Sequence, residues 1–227
     1  MLPIADDVWQ LPLTPRNAIN AYLIGDVLVD TGVKQSAGNL AAMLEGRRIS
    51  AIALTHAHGD HAGATQALAE RFAVPVWCGA RDREAAETGR LVLSPSLGRP
   101  RLAALANATA GFDGAPVART LAEGDELAAG FTVLDTPGHS PGHVSFWRES
   151  DRTLICGDVF FNMFLLTTVP GLRQPPGLFT PDPAENRRSE RRLAALEPAS
   201  VGFGHGPVLR GDAAHRLRDF VQALPAG

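Results

Sequence analysis

The sequence predicts an α/β fold: two similar halves packed sheet to sheet, with helices outside. Three observations predict it. Strand and helix signals alternate along the chain, and the order then repeats. A polar motif follows an apolar strand in each half. No low-complexity linker or clear tandem repeat interrupts the 227 residues. That length suits one large domain or two small ones, and a single domain over 1–227 is the expectation.

The elements follow in order. Ala21 to Ile24 and Val27 to Asp30 read as short strands joined by a turn at Gly25-Asp26. Ser50 to Thr55 is a nearly continuous apolar run, as expected of a strand buried on both faces. Ala62 to Phe72 has helical spacing, with Ala64, Leu68 and Phe72 on one side. Val74 to Cys78 reads as a strand and Ala80 to Thr88 as a helix. The Gly-, Pro-, Ala- and Ser-rich stretch 89–117 reads as a connector or lid, with a short helix near Arg101 to Leu105. Strands resume at Phe131 to Asp135, His143 to Trp147 and Thr153 to Cys156. The apolar stretch 159–181 is broken by four prolines. Asp182-Pro183-Ala184-Glu185 is a helix start, with Asp182 as cap and Glu185 able to fold back on it. That helix runs to about Leu196. Ser200 to Phe203 is a final strand, and Asp212 caps a last helix to about Leu224.

Composition narrows the function classes. Lys and Arg total 21 against 24 Asp and Glu, a formal charge of -3. No electrostatic reason exists to expect nucleic acid or an anionic membrane as partner. Arg187, Arg188, Arg191 and Arg192 cluster, but Glu185 and Glu190 interrupt them, which reads as a solvated helix face. The start, Met1 to Asp7, is acidic and does not read as a signal peptide. The apolar run Val159 to Val169 is shorter than the about 20 residues that a bilayer requires. Cys78 and Cys156 read as small buried hydrophobes. A soluble, cytoplasmic protein is expected.

The chemistry lies in His56-Ala57-His58-Gly59-Asp60-His61, an H-x-H-x-D-H motif after a buried strand. With seven histidines in the chain, residue frequencies give a chance occurrence of roughly 4 in 10,000. His56 and His58 are two apart, so in an extended loop they point the same way and can share a metal. Asp60 and His61 fall where the chain turns into the next helix and can face a second point nearby. Imidazole and carboxylate suit Zn²⁺, and also Mn²⁺ or Fe²⁺. Four donors do not complete two sites. Pro137-Gly138-His139, Gly157-Asp158 and Gly204-His205-Gly206 each put a metal-binding residue beside glycine just past a strand. Alone, each is an ordinary cap or surface residue; together with the first loop they supply the missing donors. His143 reads as structural, because Pro141 and Gly142 prevent the helix that would let it share a metal with His139. His215 reads as surface.

This set, in this order from about Asn20 to His205, resembles the metallo-β-lactamase-fold hydrolase superfamily. The resemblance implies a four-layer αββα sandwich with two mixed sheets and a dinuclear site at one edge. His56, His58 and His139 would hold the first metal, Asp60, His61 and His205 the second, and Asp158 would bridge them. Asp30, in Val29-Asp30-Thr31-Gly32, would support the metal loop from beneath. Two metals about 3.5–4 Å apart activate a shared water as hydroxide for attack on a carbonyl or phosphorus, and Asp60 would orient it. No Ser or Cys nucleophile is needed.

Departures narrow the subfamily. The bridging Asp158 disfavours true β-lactamases, which generally lack it. Only 22 residues follow His205, so the helical domain with which glyoxalase II enzymes bind glutathione is not expected. Flavodiiron proteins usually carry Glu where His58 stands. The single tyrosine, Tyr22, does not supply the Tyr that acyl-homoserine lactonases often use near the bridging Asp. The competing class is an oxidoreductase resembling persulfide dioxygenases, with one Fe²⁺ on His56, His139 and Asp158. The stretch Val159 to Leu166, and Phe179 with it, either plugs the core, forms a homodimer contact, or lines an apolar pocket above the metals. The pocket reading leads to a small, mostly neutral ester, thioester or lactone, with Phe161 and Phe164 touching its acyl part.

Overall fold

The computed structural model describes residues 1–90 and 111–225. The first sheet contains β1 (Leu2–Ala5), β2 (Val8–Pro12), β3 (Asn20–Ile24), β4 (Val27–Val29), β5 (Ala51–Ala53), β6 (Val76–Gly79) and β7 (Val117–Leu121), neighbours in that order. β1 to β4 are antiparallel, and β4 to β7 are parallel. The helices α1 (Ala37–Met43), α2 (Gly59–Ala62), α3 (Thr65–Phe72) and α4 (Arg83–Thr88) connect its parallel strands.

The second sheet is built from β8 (Thr132–Asp135), β9 (Val144–Arg148), β10 (Thr153–Ile155), β13 (Ser200–Gly202) and β14 (Leu209–Arg210). Their spatial order is β14-β13-β10-β9-β8. Between β10 and β13 the chain forms a two-stranded ribbon, β11 (Phe161–Phe164) with β12 (Val169–Arg173), and then α5 (Pro183–Ala195). The final helix is α6 (Ala213–Gln222).

The period-two alternation of strands sorts the apolar residues into three layers. On β3, Ala21 and Leu23 join Leu40 of α1, Leu68 of α3 and Ala85 of α4. Tyr22 and Ile24 point the other way, against Val133, Phe146 and Ile155 of the second sheet. On the far face of that sheet, Leu134, Trp147 and Leu154 pack under Leu193 of α5 and Leu217 of α6. Helix, sheet, sheet and helix therefore alternate, the αββα order expected. Each fully buried Leu, Ile or Phe contributes roughly 1.5–3 kcal/mol over leaving it exposed.

Several boundaries differ from the sequence reading. The helix expected over Ala62 to Phe72 is broken after Ala62, where Gly63 N donates to Gly32 O at 2.8 Å. The stretch 159–181 contains the β11–β12 ribbon. β1, β2, β7 and β14 carried no recognised signal. Asp182 does cap α5, accepting from Glu185 N at 2.8 Å, but the Glu185 carboxylate pairs with Arg188 instead of folding back. Asp212 makes no side-chain cap bond. The helix expected near Arg101 to Leu105 lies outside the described residues.

Glu190 corrects the reading of α5 as a solvated arginine face. Arg188 and Arg192 are exposed and paired with Glu185 and Glu123, but Glu190 is fully buried. Gln174 Nε2 donates to its Oε2 at 3.1 Å, and its Oε1 has no hydrogen-bond partner. Burial pushes the Glu190 carboxyl up to about 8, against a smaller opposing pull from Gln174, Arg187 and Arg191. A pKa raised on folding means that the folded chain holds this proton more tightly. Its contribution is complete below the ordinary Glu range and is lost as pH rises toward 8. Glu190→Gln should therefore raise the Tm above wild type at about pH 9 and change it little at about pH 5. Thermal unfolding at both pH values checks this.

Candidate metal centre

The seven expected donors meet at one edge, where strands of both sheets end. β10 and β13 are parallel, with Ile155 opposite Gly202. Asp158 and His205 each lie three residues beyond that pair, so equal offsets bring them to one point. β8 is antiparallel to β9, and β9 to β10, so β8 runs the same way as β10 and delivers His139 to the same edge. Across the interface, β5 supplies His56 and His58, and the single turn α2 supplies Asp60 and His61.

Three overlapping groups have donor atoms within 4.8 Å of one another: His56, His58 and His139; His56, His61 and Asp158; Asp60, His61 and His205. Six of the seven residues are buried, and Asp60 is partly exposed. Gly204 is required beside them: a Cβ there would lie 2.0 Å from Asp158 Oδ1 and 2.5 Å from His61 Cε1.

Hydrogen bonds on the outside of the cluster fix which nitrogen faces inward. Thr55 Oγ1 donates to Asp30 Oδ2 at 2.8 Å, so its proton is used. His56 Nδ1 lies 3.0 Å from the same hydroxyl and must be the donor, which leaves a lone pair on His56 Nε2. His139 repeats the pattern. Thr180 Oγ1 donates to Pro176 O at 3.0 Å and accepts from His139 Nδ1 at 3.2 Å. His61 Nδ1 donates to Asp30 Oδ2 at 2.9 Å, and His205 Nδ1 to Ala18 O at 2.5 Å.

The inward atoms then crowd one another. His58 Nδ1 is 3.1 Å from His56 Nε2 and 3.0 Å from His139 Nε2. One N–H cannot point at both, so at least one contact sets lone pair against lone pair. A cation between these nitrogens removes that repulsion, and neutral imidazoles with carboxylates are a donor set that divalent metals accept. Asp158 Oδ2 lies 3.2 Å from His205 Nε2, 3.3 Å from His61, 3.4 Å from His139 and 3.8 Å from His56. Its Oδ1 is buried without a hydrogen-bond partner. The residues present fit divalent metal binding.

The charges divide the site in two. Burial and the neighbouring histidines hold His56 and His139 well below the ordinary histidine range. Burial opposes charge on His205 as well, but Asp158 and Asp60 outweigh it and push His205 up to about 10. His61 is raised for the same reason, by Asp158, Asp60 and Asp30. The first group therefore offers neutral nitrogens, and the second offers nitrogens whose protons a metal must displace.

His143 contributes no donor. Its Nε2 accepts from Asp158 N at 3.1 Å, and its Nδ1 pairs with Thr136 Oγ1 at 2.9 Å. Burial pushes it down to about 3, so it stays neutral and can accept. His215 is exposed and pairs with Asp219 at 3.3 Å. Both cysteines are buried in the core. Asp30 does lie beneath the metal loop, as the resemblance implied. Sequence reading missed Thr55, Thr180, Asn20 and Asp82. Only Asp82 had a signal, an acid three residues past an apolar strand that ends in Gly79.

A cavity of about 460 Å³ opens onto the donors. Among the described residues its walls include Val33, Phe112, Phe161, Leu165, Pro176 and Phe179, and its floor His58, Asp60, His139, Asp158 and His205. Phe161 lies against His205, with centroids 4.4 Å apart. Phe164 does not line the cavity; it is exposed, under the Arg173 guanidinium at 5.2 Å. β11 alternates, so Phe161 and Phe164 leave the ribbon on opposite faces.

The family model for the metallo-beta-lactamase superfamily matches residues 14–205. The chain belongs to that superfamily. A probable metallo-hydrolase of Bacillus subtilis, YflN, is 32% identical over 220 residues, covering 89% of this chain and 80% of its own. A hydroxyacylglutathione hydrolase of Bdellovibrio bacteriovorus is 30% identical over 169 residues; the match covers 72% of this chain but 53% of that one, about half its length. Among solved structures, TTHA1623 in a di-iron-bound form is 33% identical, with a TM-score of 0.66 over 89% of this chain and 94% of that one. The B3 metallo-beta-lactamase BLEG-1 is 28% identical, with a TM-score of 0.69 over 93% and 96%. No described helix of this superfamily member is long and apolar enough to cross a membrane.

Asp158 and His143 should separate cleanly on mutation. Asp158→Ala removes the one oxygen that faces both groups and should lose metal from each. His143→Ala should leave most metal bound, because it removes only an acceptor for a backbone N–H. Elemental analysis of the purified variants decides, and the reverse pattern would reassign the donors.

Proposed function

We propose that this chain is a dinuclear metal-dependent hydrolase, loaded with zinc, that cleaves a small ester, thioester or lactone. One observation carries the reading: Asp158 Oδ2 lies within 3.8 Å of two imidazole nitrogens from each half of the site. A single carboxylate oxygen at the midpoint of four imidazoles is what a bridging ligand requires. His56, His58 and His139 would hold the first metal, and Asp60, His61 and His205 the second. When bound, such a pair lowers the pKa of water toward neutrality and polarises the substrate oxygen. Asp60, at the cavity floor and partly exposed, accepts a hydrogen bond from the attacking water and orients it.

The remaining residues select the substrate. Phe161, Phe179, Leu165, Phe112 and Val33 present apolar surface to an acyl group and exclude water from the reacting carbonyl. Lys34 is the one Lys or Arg among the described lining residues, and Asp113 pairs with it at 2.7 Å. That neutralised rim favours a mostly neutral substrate. The chain would act as one domain over 1–227 on a small molecule, with neither nucleic acid nor membrane as its partner. The di-iron form of TTHA1623 favours iron as a second occupant of the same donors.

Two measurements test the proposal. Elemental analysis should find close to two metal ions per chain, mainly zinc. One tightly held iron, with O₂ consumption on persulfides, would overturn the hydrolase reading. A panel of esters, thioesters, lactones, phosphodiesters and β-lactams should show turnover confined to the first three classes. Within it, Phe179→Ala should raise KM about ten-fold for a long acyl chain and much less for acetyl. Phe164→Ala should change neither.

A further inference from the structure

Asp82 follows β6 and is fully buried. Its Oδ2 accepts from Ala57 N at 3.1 Å and from Ser140 Oγ at 2.5 Å, and its Oδ1 accepts from Gly142 N at 2.6 Å. Ala57 stands between His56 and His58. Ser140 follows His139. One carboxylate therefore joins the loop that carries two donors of the first group to the loop that carries the third. These loops extend from strands of different sheets, so no common ladder aligns them. A backbone bond from Val144 N to Thr55 O, at 2.8 Å, ties the strand ends, whereas Asp82 acts on the residues next to the donors.

The second group is held by other means. Asp30 fixes His61. The Asn20 amide donates to Phe203 O at 3.0 Å and Gly206 O at 2.8 Å, and so grips the loop that carries His205. Asp82 takes no part in these contacts, nor does it line the cavity.

We propose that Asp82 is a positioning residue that sets the first metal group alone, by stapling the His56–His58 loop to the His139 loop. The proposal rests on the dinuclear reading of the site. Asp82→Asn keeps the shape but replaces one acceptor oxygen with a donor facing an N–H, and so breaks the staple on one side. Partners that orient metal ligands typically cost about 10–100-fold in metal affinity when lost.

The test is zinc affinity by chelator competition, with thermal unfolding of the metal-free chain alongside. Asp82→Asn should weaken one of the two zinc ions by about 10–100-fold and leave the other at wild-type affinity. Placed on His205→Ala, which disables the second group, Asp82→Asn should weaken the zinc that remains. Placed on His58→Ala, it should not. Should Asp82→Asn fold poorly, Ser140→Ala removes one of the three bonds and should give a smaller loss in the same direction. Parallel loss of both ions, or a lower metal-free Tm with unchanged affinities, would overturn the proposal. A wild-type chain that binds a single zinc would fail the dinuclear reading instead. Weakening of that ion by Asp82→Asn would still uphold the staple, and unchanged affinity would overturn it.

Discussion

The centre depends on a hydrogen-bond polarity. Four imidazoles donate Nδ1–H outward, to Thr55, Asp30, Thr180 and the Ala18 carbonyl, and so turn Nε2 inward. With the hydroxyl protons of Thr55 and Thr180 already used, neither His56 nor His139 can reverse. The result is a buried set of lone pairs and carboxylate oxygens closer together than neutral groups tolerate. A site of this kind is stable as a protonated network or as a metal complex.

The two sheets exist, for this purpose, to deliver loop ends to one edge. Parallel pairing of β10 with β13 sets Asp158 and His205 at equal offsets, and β8 runs with them. The first sheet meets them across a packed apolar layer that includes Tyr22, Val29, Phe146 and Ile155. That layer is buried and closely packed, and short tethers complete the placement of each donor loop. Asp30, Asn20 and Asp82 are those tethers: buried polar side chains that reach from one loop to another. Glycine is the counterpart at Gly204, where a side chain would fill the space Asp158 occupies.

The cavity follows from the ribbon after Asp158. The β11–β12 pairing turns Phe161 toward the His/Asp cluster and Phe164 away from it. An apolar wall thus stands directly against His205, and the cavity runs without a break from that wall to the cluster at its floor.

By itself the sequence picked out all seven side chains that the fold gathers at one edge, and most of the strands and helices, because those signals are local. A buried strand is an apolar run, and His56 to His61 lie within six residues. Only the tertiary structure decided what depends on distant partners. Thr180 meets His139 across 41 positions and Asn20 meets Phe203 across 183, separations at which no spacing rule operates. Glu190 reads as one charge among four arginines until packing buries it. Phe161 and Phe164 look alike in an apolar run, and their different fates were set by strand pairing, which turns side chains three apart on a strand to opposite faces.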